Sequence, residues 1–166
     1  MPTYDLIMYD EEFQKIKEIL SRLRMDTNAK VAFLVDKNGQ QIAAQGDLEG
    51  LDTTSLASLT AGNVAATDGL AKLIGEREFS VLFHEGERDN IHISIVGQRV
   101  ILVVIFDERS SLGLVRLRVK KASQELEKVF DDILKKVEKE KEAMAGGFES
   151  PFAEITDEDI DALFSE

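Results

Sequence analysis

The chain has 166 residues, 43% of them hydrophobic and 31% charged, which suits one globular domain with room for a full core. Its formal net charge of −12 argues against nucleic-acid binding, which needs a basic surface. The absence of cysteine excludes disulfides, a thiol nucleophile and thiolate metal sites, and a reducing, cytoplasmic setting is expected. The opening MPTYDLIMYDEEF lacks the basic and apolar regions of a secretory signal, and no run approaches a membrane span.

From Asp10 to about Arg24, the spacing of Phe13, Ile16, Leu20 and Leu23 predicts an amphipathic helix with Asp10 as its N-cap. Lys30–Asp36 reads as a buried strand, and Asn38-Gly39 turns it into a partner over Gln40–Gln45. A second helix is expected from Asp52 to Gly75, bounded by an N-cap residue and a C′ glycine. Three short strands follow: Phe79–His84, then Asn90–Val96 with alternating Ile91, Ile93 and Ile95, then Val100–Phe106. The last of these is apolar throughout, which predicts a central place in the sheet. Gly97-Gln98 supplies the hairpin turn before it. A long helix starts near Ser110 or Ser111, with Val115, Val119, Ala122, Leu126, Val129, Ile133 and Val137 on its seam. Beyond Val137 its turns are expected to be solvated and frayed, and Gly146-Gly147 to end it. The order helix, two strands, helix, three strands, helix predicts an α/β layered (α+β) protein. Its five-stranded, mainly antiparallel sheet has the central helix on one face and two helices on the other.

The Asp52–Gly75 helix is the unusual element. It carries no charge from Thr53 to Thr67 and accepts Gly62 and Gly69, each costing about 1 kcal/mol relative to alanine. On a wheel, Leu56, Leu59, Ala66, Leu70 and Leu73 share one face, expected to pack on the core. The opposite face holds Thr54, Ala57, Ser58, Ala61, Gly62, Ala65 and Gly69, small residues that let another backbone approach closely. That face reads as a protein-binding platform or, alternatively, as a second buried side within the same domain.

The C-terminal residues 147–166 hold seven acids and no base, leaving the rest of the chain near −5, with 20 bases against 25 acids. Residues 1–146 form the domain, 147–155 a flexible linker, and 156–166 an acidic amphipathic docking helix. Thr156 serves as its N-cap, and Ile160, Leu163 and Phe164 make its apolar face. The alternative is that it folds back on its own domain, against the basic stripe Arg116, Arg118, Lys120 and Lys121.

No catalytic constellation is present in the sequence. It has neither GxxxxGK[ST] nor GxGxxG, and Asp131-Asp132 lies on a helix flank. His84 ends a strand and His92 takes an alternate position read as outward-pointing, neither with metal-ligand spacing to another ligand. A regulator or binding module is expected, with no active site, no metal and no cofactor of its own.

The runs AKVAFLVDKNGQ (29–40), DTTSLASLTAGNVAA (52–66), GLAKLIGE (69–76), VILVVIFD (100–107), SLGLVRLRVKKAS (111–123) and SPFAEITDEDIDALFSE (150–166) resemble the Roadblock/dynein light chain family. The resemblance is strongest to bacterial members that work with the Ras-like GTPase MglA, and weakest over residues 138–148. It implies a homodimer with paired central helices and sheets joined at edge strand 79–84, two copies holding one GTPase. GTP and magnesium would belong to that partner. It further implies activation of GTP hydrolysis without an arginine finger, in cell polarity and gliding motility, with enrichment at one cell pole. Arg77, Arg88, Arg99 and Arg109 lie on loops or strand ends, consistent with that mechanism. The tail would dock elsewhere on the GTPase. Scaffolding or nucleotide exchange for the same GTPase are the alternative functions. Neither nucleic acid nor membrane insertion is implied.

Overall fold

The structure, a computed structural model, describes residues 9–147. Of the expected linker 147–155 only Gly147 is described, as the last residue of a helix, and the expected docking helix 156–166 with Ile160, Leu163 and Phe164 lies outside the described residues. The elements are α1 (Asp10–Thr27), β1 (Val31–Asp36), β2 (Gln41–Gly46), α2 (Thr53–Leu73), β3 (Val81–Glu85), β4 (Asn90–Val96), β5 (Val100–Phe106) and α3 (Leu112–Gly147). One compact unit comprises Met8–Phe130, and α3 continues past it into a second.

The sheet runs β2-β1-β5-β4-β3 and every pairing in it is antiparallel. β5 takes the centre, as its unbroken apolar run requires, and all seven of its residues are buried. The β1–β2 turn forms at Asn38-Gly39, where Gly39 has φ +92° and its N–H donates to the Asp36 carbonyl at 3.1 Å. Gly97 and Gln98, with φ of 58° and 65°, turn β4 into β5.

Val31, Phe33, Val35, Ile93, Ile101, Val103 and Ile105 line one side of the sheet, where Ala57, Ala61 and Val64 of α2 meet them. The alternate residues, among them Leu34, His92, Leu102 and Val104, are buried on the other side. Helix α1 packs on β1 and β2, and Arg22 reaches across to Glu125 of α3 at 3.2 Å.

Two end positions differ from the sequence reading of α1. Tyr9 is the N-cap, with Asp10 the first helical residue, and the helix continues to Thr27 before Asn28 closes it in a left-handed conformation. Asp10 therefore acts in the first turn with Glu11 and Glu12, where acids favour the helix dipole. In α3 the Ser111 hydroxyl accepts the Leu114 N–H at 3.2 Å, fixing the start of the helix. Side chains from Glu138 to Ala145 are exposed, as expected, yet helical geometry continues to Gly147.

His92 also departs from expectation. It is 1% exposed, not outward-pointing, because both faces of this sheet are covered. The polar partners in the β4 alternation point into a helix-covered layer, and Ser94 is buried there too.

Candidate functional site

Helix α2 is the connection from one sheet edge, β2, to the opposite edge, β3. Its start is set by Asp52, whose carboxylate accepts the Ser55 N–H at 3.1 Å and the Ser55 hydroxyl at 2.7 Å. Those bonds hold the Asp52 carboxyl below the usual carboxylate range. Its end is a Schellman turn, with Gly75 (φ +81°) donating to Lys72 and Glu76 to Ala71.

The orientation of α2 departs in part from the wheel reading: Thr54, Ser58, Gly62, Ala65 and Gly69 are exposed as expected, but the face taken for the core is not the buried one. Ala57 and Ala61, assigned to the free face, are buried against the sheet, together with Thr60, Val64 and Ala71. Leu59, Leu70 and Leu73, assigned to the core, are 73%, 59% and 83% exposed, and Ala66 is exposed with them. Leu56 alone of that set packs on the core, and only partly.

The physical reason lies in the β1–β2 turn. A Cβ placed on Gly39 would sit 3.2 Å from the Ser58 Cα and 3.6 Å from the Ala61 Cβ, so the turn abuts the helix backbone. Leucines at these positions would hold the helix away, while small residues admit it at close range. Both faces of α2 are apolar, so hydrophobicity alone could not choose between them. The size of the residues carried the missing signal.

The outer surface divides into two sides. Toward the β1–β2 turn lie Thr54, Ser58, Ala65 and Gly69, all exposed, with Gly62 near the crest. Open space lies above Gly62 and Gly69, so nothing among the described residues requires their lack of a side chain. Toward β3 lie Leu59, Leu70 and Asn63, and Asn63 Nδ2 stands 2.9 Å from Nε2 of His84 on β3. Leu73 and Ile74 extend this apolar side, and Val81 is exposed on β3 itself. Among the described residues the strand is an unpaired sheet edge, with no lysine or proline in it to block pairing. Leu59, Leu70, Leu73 and Val81 belong to this surface although the wheel reading left them out.

No residue that could donate a cation to a partner stands on α2 between Thr53 and Thr67. Arg77, Arg88, Arg99 and Arg109 are exposed and lie outside the helices and strands. Arg109 is held by Asp107, Nε to Oδ1 at 3.0 Å, and this bond keeps the Asp107 carboxyl below its ordinary range. Among the described residues no group of three His, Cys, Asp or Glu side chains could hold a metal ion. No helix of the described residues is long and apolar enough to cross a membrane.

The outer face of α2 thus carries no charge from Thr53 to Thr67 and lies beside an edge strand of the sheet. Residues 15–106 match the Roadblock/LC7 domain, and the chain belongs to that family. It is 64% identical to Myxococcus xanthus MglB, covering 76% of this chain and 96% of that one, with a TM-score of 0.73. The gliding protein MglB of Thermus thermophilus is 34% identical, covering 79% and 99%, with a TM-score of 0.74. An MglB in a tetrameric arrangement is 32% identical, covering 80% and 99%, with a TM-score of 0.75. No match is found among curated proteins. The expected family and the five-stranded antiparallel fold with three helices are thereby borne out.

Proposed function

We propose that this protein regulates a bacterial Ras-like GTPase of the MglA type, as a homodimer of which two copies hold one GTPase. The reading is supported above all by the outer face of α2, uncharged from Thr53 to Thr67, in a chain 64% identical to an MglB. Pairing of β3 with β3 of a second copy would satisfy the open strand edge and cover Leu59, Leu70 and Leu73. The small side, Thr54, Ser58, Gly62, Ala65 and Gly69, then remains as the platform for the GTPase.

Such a platform accelerates GTP hydrolysis without contributing a reacting group. An arginine finger needs an arginine aimed at the phosphates, and α2 carries none, its one base being Lys72 in the last turn. Close backbone approach at Gly62 and Gly69 instead favours one arrangement of the GTPase switch, in which the GTPase's own residues complete the site. The gain is a population shift, bounded by the difference in affinity for the two switch states. The process served is cell polarity and gliding motility, at a cytoplasmic site enriched at one pole.

Single-turnover GTP hydrolysis by the cognate GTPase, with and without this protein, tests the reading. The expected result is acceleration of tenfold or more that survives alanine replacement of Arg77, Arg88, Arg99 and Arg109 one at a time. A stable complex without acceleration would replace activation with scaffolding or nucleotide exchange.

A further inference from the structure

The layer opposite α2 carries a second surface that the proposed regulatory role does not use. Between α1 and α3 runs a groove whose apolar lining is Ile19, Leu23 and Ala122, all buried. Arg22, Arg118 and Lys121 border it, with two acids, Asp26 and Glu125. Glu125 is engaged by Arg22 at 3.2 Å. Among the described residues Arg118 Nε is buried with no hydrogen-bond partner, a guanidinium nitrogen desolvated without compensation. Beside it, α3 also exposes Arg116 and Lys120 next to Leu117, which is 63% exposed. An apolar spot ringed by bases on a chain of net charge −12 calls for an acidic, partly apolar occupant.

The chain carries one itself. Residues 148–166 contain Glu149, Glu154, Asp157, Glu158, Asp159, Asp161 and Glu166 without a base, and the apolar residues Ile160, Leu163 and Phe164 at helical spacing. Nineteen residues reach about 65 Å when extended. We infer that this acidic terminal segment seats on the α1–α3 surface, its apolar residues against the exposed Leu117 and its carboxylates on Lys120, Lys121 and Arg118. A carboxylate there would satisfy the unpartnered Arg118 nitrogen. The assignment goes beyond the regulatory reading and does not depend on it. If the segment also serves a GTPase, seating makes it unavailable until displaced.

Because the chain has no cysteine, Ser165→Cys places a single nitroxide on the full-length protein. Amide signals are then compared before and after reduction of the label, with no GTPase present. Seating predicts at least twofold attenuation that, outside the terminal segment itself, is strongest at residues 19–26 and 114–122. That attenuation should disappear in Lys120→Glu/Lys121→Glu, two exposed positions whose exchange leaves the circular dichroism spectrum unchanged, and in 0.5 M salt. Undiminished signals in these segments, attenuation on α2 or β3 instead, or attenuation that ignores the charge reversal would each overturn the inference.

Discussion

Asn63 of α2 and His84 of β3 meet through their side chains, Nδ2 to Nε2 at 2.9 Å, tying the outer helix to the open sheet edge. The bond fixes the angle at which the leucine side of α2 meets the strand that a second copy would pair with. Replacing Asn63 with alanine removes one partly exposed hydrogen bond, worth about 0.5–1.5 kcal/mol. The expected outcome is a small drop in the urea midpoint and faster amide exchange in β3, with the rest of the sheet unchanged.

Leu70→Glu separates stability from association. Leu70 is exposed in the single chain, so the charge should alter folding stability by no more than about 0.5 kcal/mol. In a dimer it would be buried unpaired, and self-association should weaken by tenfold or more. Sedimentation equilibrium checks this, and a variant that associates like the wild type would remove the leucine side from the interface.

The two registers of small residue on α2 predict opposite outcomes for one substitution. Ala65→Arg or Gly69→Arg adds a side chain in open solvent, so the fold should persist while GTPase binding is lost. Ala61→Arg drives a guanidinium into the contact with the β1–β2 turn and the sheet, and should lower stability by about 3 kcal/mol or more. Thermal melts and a binding assay on the same three proteins decide it.

Glycines divide in the same way. Gly39→Ala meets both a φ of +92° and the Ser58 Cα at 3.2 Å, and should cost more than about 1 kcal/mol. Gly69→Ala, with nothing within 4 Å, should raise stability by up to about 1 kcal/mol through helix propensity. If a partner backbone approaches there, the same variant binds more weakly despite melting higher.

His92 ties stability to pH. Burial, then the nearby Arg116 charge, lowers its pKa below 6.5, and neither ring nitrogen has a hydrogen-bond partner among the described residues. The unfolded chain therefore binds the proton more readily than the folded one. Stability should be full above about pH 7 and fall as pH drops through 6.5 and below. His92→Phe should flatten that slope in urea titrations from pH 7.5 to 5.5, and at pH 5.5 should be more stable than the wild type.

Local pattern was enough to place the elements. The apolar run of β5, the Asn38-Gly39 turn, the Asp52 cap and the Gly75 terminator each act over a few residues, and each stands where its chemistry requires. The antiparallel pairing of neighbouring strands followed, because short hairpin connections leave little other choice, whereas the β1–β5 pairing that joins the two groups came only from the fold. The orientation of α2 did not follow from pattern. A helix apolar on both faces carries no hydrophobic phase, so close contact at Gly39, Ser58 and Ala61 decided which side turned inward. His92 failed for the related reason that alternation separates the two faces of a strand without saying whether the second meets water or helices. Sequence by itself determined the elements, their order and the family. Tertiary packing alone decided that Ala57 and Ala61 turn inward and Leu59, Leu70 and Leu73 outward, because burial belongs to what stands opposite a residue and not to the residue.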